Sequence, residues 1–449
     1  MKNMTIGNPT KLIFYFAMPL MLGNILQQLY TMVDTMIVGQ FLGVDALASL
    51  GAADWINWML LGIVMGFTQG FSIRISHSFG AQDFKKMEKT LGLSIILCAF
   101  TGIVLTVLAQ VIIEPLLIAL NTPSNIINGS ITYLRVMSAG VLIVMFYNCC
   151  SCVLRALGNS RSPLIAMIFA ALLNIVLDLL FVCVFHMGIA GAAIATLISQ
   201  LSATLFCIYV LNKELPFTLT KESFRFTKES LSDLIRLGSP LAFQNAIISV
   251  GGIIVQSVIN SFGFLFVAGF TATNKLYGLL EVAAISFGYA ITTFNSQNYG
   301  AKQYDRMKKG VFQANLLSIG TSIVISLIMF IFGQQILMLF ISGKPDEVKM
   351  VLDIAFKYLS VMALCLPILY VLHTYRSALQ GMENTFIPML SGIIELFMRV
   401  GIALLLPLYI GQDGIYFAEV FAWTGAAILL YLSYKIKIKN LMQRKVSEI

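Results

Sequence analysis

Two aspartates of this sequence lie inside long apolar stretches. Asp34 belongs to the stretch 12–39, and Asp178 follows Asn174 by one helical turn in the stretch 163–185. An ionised carboxylate inside a membrane-spanning helix is costly unless it faces a cavity or a partner. Two such groups in one low-dielectric cavity do not both ionise easily, so the pair can hold a proton and release it when another cation arrives. These residues are therefore suited to cation exchange; the alternative is that they only hydrogen-bond neighbouring helices.

Other polar residues share the helical face of Asp34. Steps of three and four place Gln27, Gln28 and Thr31 on this face, which should line protein interior or water. The first and fifth apolar stretches both run outward, and Asp178 lies about 22 Å beyond the start of its stretch at Pro163. We therefore expect both carboxylates in the outer half of the membrane and in one cavity.

These patterns define the candidate site residues. We predict a cation-coupling site for H⁺ or Na⁺ at Asp34, Asn174 and Asp178, with any Na⁺ bound by the two aspartates. The predicted cavity-lining residues are polar side chains of both halves: Gln27, Gln28, Thr31, Asn148, Thr196, Gln200, Gln256, Asn274 and Glu281. Pro19 removes a backbone hydrogen bond within the first stretch and is predicted to act as a hinge. Glu395 and Arg399 are one turn apart and are expected to neutralise each other.

The composition indicates which elements position these residues. Of 449 residues, 58% are hydrophobic and 11% are charged, whereas a soluble domain carries roughly 25% charged residues. A membrane crossing needs about 20 helical residues. Twelve apolar segments are long enough: 12–39, 46–77, 91–112, 131–154, 163–185, 188–211, 232–260, 265–297, 310–340, 350–378, 388–410 and 415–435. The sequence thus predicts an all-α integral membrane protein with twelve transmembrane helices.

The net charge of +8 is concentrated in alternate loops. One set of loops holds fourteen Lys and Arg residues, Arg376 among them, and the other set holds Lys344 and Lys349. This positive-inside bias predicts that both termini lie in the cytoplasm. We expect the protein in the plasma membrane. It also explains the basic charge without a nucleic-acid partner.

An internal repeat divides the chain. Ser76–Met87 resembles Ser296–Met307, and Arg155–Pro163 is matched by Gln380–Pro388 at nearly the same separation along the chain. Each half holds six spans, so the halves are expected to be parallel, with a pseudo-two-fold axis along the membrane normal. The predicted domains are an N-terminal lobe at 1–211, a cytoplasmic linker at 212–231, a C-terminal lobe at 232–435 and a basic tail at 436–449. Ser230 and Asp233 are predicted to form the capping box of the seventh span.

Several function classes lack their motifs. The sequence has no GxxxxGK[ST] motif for ATP hydrolysis, no Arg-rich voltage sensor and no filter-like repeat. The seven cysteines show neither a disulfide framework nor metal-ligand spacing. We expect no enzyme activity and no cofactor, only H⁺ or Na⁺ as a coupling ion. The expected partners are small-molecule substrates and the lipid bilayer, and the expected state is a monomer.

Several motifs together resemble one family. They are Pro19 fifteen residues before Asp34, SxxxGA after the second and eighth spans, LRALGNSRSP at Leu154–Pro163, Asn174-x-x-x-Asp178, and GIAGAAIAT at Gly188–Thr196. The chain resembles the multidrug and toxic-compound extrusion (MATE) family of the multidrug/oligosaccharidyl-lipid/polysaccharide flippase superfamily. The resemblance implies an alternating-access antiporter that exports organic, cationic and aromatic compounds in exchange for H⁺ or Na⁺. It also implies a cation site in the first lobe at Asp34, Asn174 and Asp178.

Two points qualify the resemblance. Some members use acids in helices 7 and 10, but here the seventh span has no carboxylate beyond Asp233 at its first turn, and the tenth has only Asp353. A related flippase of lipid-linked precursors would carry a string of cavity Arg or Lys residues, whereas the embedded cations here are mainly Lys275 and Arg399, with Arg74 near an end. The alternative function is that of a flippase or exporter of lipid-linked or other endogenous metabolites. A non-transporting receptor is disfavoured by the paired acids and the repeat.

Overall fold

The computed structural model describes residues 2–120, 122–341 and 344–447. Nearly all of these residues are helical, and none of them forms a β-strand. The helices before the middle of the chain are α1 Pro9–Leu42, α2 Val44–Gly80, α3 Phe84–Ala119, α4 Ile127–Ala139, α5 Val141–Ala156, α6 Arg161–Asp178 and α7 Gly188–Glu214. Those after it are α8 Lys228–Asn260, α9 Phe264–Gly300, α10 Tyr304–Met338, α11 Pro345–Gly381, α12 Phe386–Leu405, α13 Pro407–Ile410 and α14 Ala418–Ser447.

The helices confirm the predicted all-α membrane architecture. Within the described ranges, 11 helices are long and apolar enough to cross a bilayer. The fourth predicted span is a broken one, because α4 and α5 meet at Gly140 with a bend of 49°. Counting this bent pair as one crossing gives the twelve spans that hydropathy predicts.

The internal repeat is visible in the helix ends. Gln82 and Lys302 both adopt positive φ, at 58° and 56°, in the turns that follow α2 and α9. Their N–H groups donate to the carbonyl oxygens of Phe79 and Tyr299, so the same C-cap closes both helices. The sequence repeat therefore encodes two copies of one helix–turn–helix unit.

The second repeated motif also has two equivalent turns. Gly158 and Glu383, which occupy the same position in the two copies of this motif, have positive φ values of 79° and 57°. The next residues, Asn159 and Asn384, each accept a hydrogen bond from a backbone N–H three positions on, which caps the helix that follows.

The contacts divide the chain into two compact units. Unit 1 comprises Met1–Asn3 and Leu22–Ala246, and unit 2 comprises Met4–Met21 and Ile247–Ile449. Each of α1 and α8 thus contributes to both units. The lobe boundaries predicted at 1–211, 212–231 and 232–435 stay a prediction.

In unit 1, buried apolar side chains of α2, α3, α5 and α7 form a core, with Phe71, Leu91, Met145 and Leu154 among its members. The first part of α8 packs closely against α2. A Cβ added at Gly66 would lie 2.3 Å from the Ala242 nitrogen, and one at Gly70 would lie 2.4 Å from the Gly238 Cα. The glycines of α2 therefore serve the close helix packing for which such spacing is known.

In unit 2, aromatic rings of α9 and α11 form the centre of the core. Phe270 and Tyr358 stack with their centroids 4.2 Å apart, and Tyr416 stacks on Tyr358 at 5.5 Å. The last helix, α14, continues through most of the stretch predicted as the tail 436–449, and buries Ile438 and Leu441. Residues 448–449 of that tail lie outside the described residues.

The start of α8 corrects one prediction. Thr227 and Ser230, not Ser230 and Asp233, form the capping box: Ser230 N–H donates to Thr227 Oγ1 and Thr227 N–H donates to Ser230 Oγ, at 3.2 and 3.1 Å. Asp233 instead accepts a charged hydrogen bond from Arg74 at 3.0 Å. The carboxylate pairs with a guanidinium, which binds it more strongly than a backbone amide does.

Candidate functional site

The candidate cation-coupling residues lie on α1 and α6 of unit 1. Asn174 and Asp178 occupy the last two turns of α6 and are 1% and 0% exposed. After Asp178 the backbone widens into a π-helix over Leu179–Val184, a distortion that is frequent at functional sites. Asn174 donates through Nδ2 to Thr196 Oγ1 of α7 at 3.5 Å.

The carboxyl groups of Asp34 and Asp178 lie side by side. They are close enough to share a hydrogen bond when one of them carries a proton. Tyr30, one turn before Asp34, lies within electrostatic reach of both groups. The sequence expectation that α1 and α6 bring these two acids together therefore agrees with the geometry.

Five buried oxygens of Asp34, Asp178 and the neighbouring polar residues of α6 and α7 share one property: no donor among the described residues bonds to any of them. They are Asp34 Oδ1, Asn174 Oδ1, both carboxyl oxygens of Asp178, and Gln200 Oε1. Buried polar atoms are nearly always hydrogen-bonded, so a group of acceptors without donors is unusual. Such a group is suited to binding a proton or a cation with oxygen ligands.

A narrow cavity lies beside these groups, with a volume of about 370 Å³ when the adjoining solvent space is included. Its lining comes from α1, α5, α6 and α7 of unit 1: Gln27, Tyr30, Tyr147, Met167, Ala170, Asn174, Thr196, Ser199, Gln200 and Ala203. Gln27, Thr196 and Gln200 were predicted to line it. Sequence reasoning missed Tyr30, Tyr147 and Met167, although Tyr30 lies four residues before Asp34, on the same helical face.

Three predicted lining residues of unit 1 lie outside the lining of this cavity. Thr31 is exposed and donates to the Gln27 carbonyl oxygen at 2.9 Å, and Asn148 donates to that of Val144 at 2.9 Å. Gln28 is half-buried. Two of these three side chains thus bond to the backbone of their own helix, as polar residues in helices often do.

The predicted residues of unit 2 are bonded within that unit. Gln256 Nε2 donates to Asn260 at 2.9 Å, and the Tyr358 hydroxyl donates to Asn274 at 3.4 Å. Glu281 lies 3.2 Å from His373 Nε2 of α11. The Glu281–His373 pair was missed by sequence reasoning because the two residues are 92 positions apart.

The expected Glu395–Arg399 pair is wrong. Glu395 pairs with Arg376 of α11, and Arg399 pairs with Glu419 of α14 at 2.8 Å. Arg376, assigned to a loop from the sequence, lies within α11 and is buried. Glu395 and Arg399 of α12 thus each pair with a residue of a neighbouring helix, and these ion pairs are largely shielded from solvent. Spacing along one helix cannot reveal partners on another helix.

Other predicted features have simpler outcomes. Pro19 lies inside α1, which is one helix from Pro9 to Leu42, and its hinge role stays a prediction. Among the described residues, no group of three or more His, Cys, Asp or Glu side chains is arranged to hold a metal. All seven cysteines are free.

Comparisons with known proteins agree with this architecture. The MatE family model matches residues 19–180 and 240–405, two copies that start at Pro19 and at Pro240. The chain is 31% identical to the "Probable multidrug resistance protein YpnP" of Bacillus subtilis, over 96% of both proteins. It is 25% identical to the "Probable multidrug resistance protein NorM" of Thermotoga maritima, over 96% of this chain and 93% of that protein.

Two solved structures share the fold over almost the whole chain. One is a MOP superfamily transporter from Pyrococcus furiosus, with a TM-score of 0.92 and 25% identity over 98% of this chain and 99% of that chain. The other is an outward-facing multidrug resistance MATE family transporter of the same superfamily, with a TM-score of 0.91 and 25% identity over 99% of both. The protein is thus a membrane transporter, not an enzyme, and it belongs to the MatE family.

Proposed function

We propose that this transporter is a secondary active antiporter that exports organic, cationic and aromatic compounds in exchange for H⁺ or Na⁺ by alternating access. The observation that carries the proposal is the set of buried oxygens of Asp34, Asn174, Asp178 and Gln200, which no described donor reaches. A proton or a sodium ion satisfies such acceptors and offsets the cost of burying charge.

The coupling follows from competition for negative charge. With no cation bound, the two carboxyl groups attract a cationic cargo electrostatically. When H⁺ or Na⁺ arrives from outside, it neutralises the pair and weakens that attraction, so the cargo is released. The loaded protein then returns, discharges the ion inside and binds new cargo, which makes ion entry and cargo exit two parts of one cycle.

The cavity lining supports the cargo class. Tyr30 and Tyr147 present flat rings, and Met167 adds a flexible thioether. Such side chains accept apolar and aromatic shapes without strict geometry, and aromatic faces attract organic cations. Several relatives carry names such as "Multidrug export protein MepA", from Staphylococcus aureus, and these names favour varied organic cargo.

The flippase alternative is less well supported. A carrier of lipid-linked diphosphates needs cationic side chains that are available to the phosphates. The two buried arginines of unit 2, Arg376 and Arg399, already pair with Glu395 and Glu419.

We further propose that the protein is a monomer in the plasma membrane, with both termini in the cytoplasm.

Drug accumulation in pump-deficient bacteria tests the proposal. Cells expressing the wild type, Asp34→Asn or Asp178→Asn are loaded with a fluorescent organic cation, and efflux is followed with the proton and sodium gradients collapsed separately. We expect at least a tenfold loss of efflux in both variants, because an amide cannot release a proton or neutralise a cation. Collapsing the gradient of the coupling ion should have the same effect on the wild type.

Asp353→Asn is the matched control, since this exposed carboxylate pairs with Lys357 at the surface of α11. Its efflux should equal that of the wild type at equal amounts of inserted protein. Full efflux by both Asp34→Asn and Asp178→Asn would rule out the proposed coupling site.

A further inference from the structure

A second cavity of unit 1 is lined by several basic side chains, whereas the first is lined by none; its volume is about 630 Å³ when the adjoining solvent space is included. It lies where α2 ends, α3 begins and α8 begins, beside the connecting segment 215–227. Four cations line it, Arg74, Lys86, Lys89 and Arg225, together with the single acid Asp233. We call it the basic cleft. Because α2 and α3 are both membrane spans, the turn between them lies at a membrane surface.

The charges of the basic cleft do not balance. Arg74 and Asp233 form an ion pair at 3.0 Å, which neutralises the one acid of the lining. In the part of the chain that the structure describes, no side chain or carbonyl accepts a hydrogen bond from the side chains of Lys86, Lys89 or Arg225. Three positive charges thus surround one concave space, and their fields add there.

The repeat shows how the same position is satisfied in unit 2. Arg306 is the repeat mate of Lys86 in the second copy of the motif. Its guanidinium donates to the carbonyl oxygens of Met4 and Gly7, at 3.0 and 2.7 Å, within unit 2. The cation of unit 2 is therefore supplied with acceptors by the protein, whereas Lys86 of unit 1 has none among the described residues.

Apolar side chains also lie in and beside the basic cleft. Leu93 and Leu234 are buried side chains of its lining. On either side of Arg225, Phe224 and Phe226 are 37% and 50% exposed. Exposed aromatic residues beside cations are typical of the membrane–water boundary, where rings contact lipid and cations contact phosphate.

We propose that the basic cleft is a binding site for the phosphate of an anionic phospholipid head group. Lys86, Lys89 and Arg225 would donate to the phosphate oxygens, and the exposed rings of Phe224 and Phe226 would contact the first carbons of the lipid. A free phosphate ion offers the same oxygens, but it makes no use of the two exposed aromatic rings. The acid nearest in the chain, Glu88, accepts a hydrogen bond from Ser223 and does not line the cleft.

The test compares ligands on the purified full-length protein in a mild, uncharged detergent. Thermal unfolding is measured while phosphatidylglycerol, phosphatidylcholine with the same acyl chains, or inorganic phosphate is added. We expect phosphatidylglycerol to raise the unfolding temperature in a saturable way and at lower concentration than the other two. In the triple variant Lys86→Gln/Lys89→Gln/Arg225→Gln, the half-saturating concentration should rise on the order of tenfold or more, since each cation near an anionic lipid contributes measurably.

The chain offers a matched control of equal charge loss. Lys302→Gln/Lys308→Gln/Lys309→Gln removes three exposed cations from the corresponding turn of unit 2, and it should leave the response to phosphatidylglycerol unchanged. A second variant, Lys86→Arg/Lys89→Arg, keeps the charge and should keep the response. Equal phosphatidylglycerol affinity in the Gln triple variant would overturn the proposal. Inorganic phosphate acting at the same concentration as the lipid would also overturn it, in favour of a free-phosphate site.

Discussion

At the residue scale, Asp178 has a carboxyl group that is buried without a hydrogen-bond donor among the described residues. It is the last α-helical residue of α6, it is fully buried, and neither of its carboxyl oxygens receives a hydrogen bond from a described donor. An ionised carboxylate in such a place is costly. We therefore expect that a bound proton or cation neutralises it for much of the transport cycle.

The buried ion pairs of unit 2 contrast with this acid, because each has a complete partner. Two ion pairs, Arg376 with Glu395 and Arg399 with Glu419, neutralise four charges within the apolar interior. The desolvation of such a pair often offsets its attraction, so the pair itself adds little stability, but a single remaining member is strongly destabilising.

This reasoning gives a prediction for the Arg376–Glu395 pair. Arg376→Met should lower the free energy of unfolding by about 3–5 kcal/mol, because it leaves Glu395 buried without a counter-charge. The double variant Arg376→Met/Glu395→Leu should recover most of the loss. The measurement is unfolding of the purified protein in increasing SDS.

Lys357→Met serves as the comparison, since the Lys357–Asp353 pair is exposed and its loss should change stability little. A double variant that is as unstable as the single one would contradict the proposed role of the unpaired charge.

At the scale of helices, the contact of α2 with the first part of α8 leaves no space for additional atoms at two glycines. The backbones of Gly66 and Gly70 approach those of Ala242 and Gly238 so closely that a methyl group has no room. Because this is a backbone-to-backbone approach, neither side can yield by changing a rotamer.

Gly66→Ala should therefore destabilise unit 1 or change its helix packing, at a cost of about 1–3 kcal/mol that is typical of overpacking. Gly51→Ala is the matched control in the same helix, since a Cβ there meets no atom within 4 Å. The control should be neutral or slightly stabilising because alanine is the better helix former. Protein yield and the midpoint of SDS unfolding are measured for both variants. Equal yields and midpoints for Gly66→Ala and Gly51→Ala would contradict the packing argument.

At the scale of the whole molecule, the two repeats share the same turns between their helices. The turns at Gln82 and Lys302, and those at Gly158 and Glu383, recur with the same sign of φ at equivalent positions of the two repeats. Two copies with six crossings each give an even number of spans. An even number places both termini on one side, and from the basic loops we predict that this side is the cytoplasm.

Reporter fusions test this topology. Green fluorescent protein fused after residue 449 should fluoresce, because it folds in the cytoplasm but not after export. Alkaline phosphatase inserted in the loop between α3 and α4 should be active, since that enzyme needs the oxidising outer compartment. A dark fluorescent-protein fusion together with an inactive phosphatase between α3 and α4, both in inserted protein, would refute the predicted orientation.

Hydropathy, charge and spacing were enough to predict the twelve crossings, the repeat and the facing pair Asp34 and Asp178. Each of these depends on a local property: the length of an apolar run, the recurrence of a motif, or the position of a polar residue on one helical face. The same local reasoning found Gln27, Thr196 and Gln200 on the cavity, because the period of a helix determines which side chains share a side.

The ion-pair partners of the buried charged residues could be identified only from the tertiary structure. Arg376 with Glu395, Glu281 with His373 and Asp233 with Arg74 join helices that are far apart in sequence, and spacing along one helix suggested the wrong partners for Glu395 and for Asp233. The bend of 49° between α4 and α5 also lay beyond hydropathy, since hydropathy gives the length of an apolar stretch and not the direction of its axis. These features depend on which side chains meet across helices, and only the packing of the whole chain decides that.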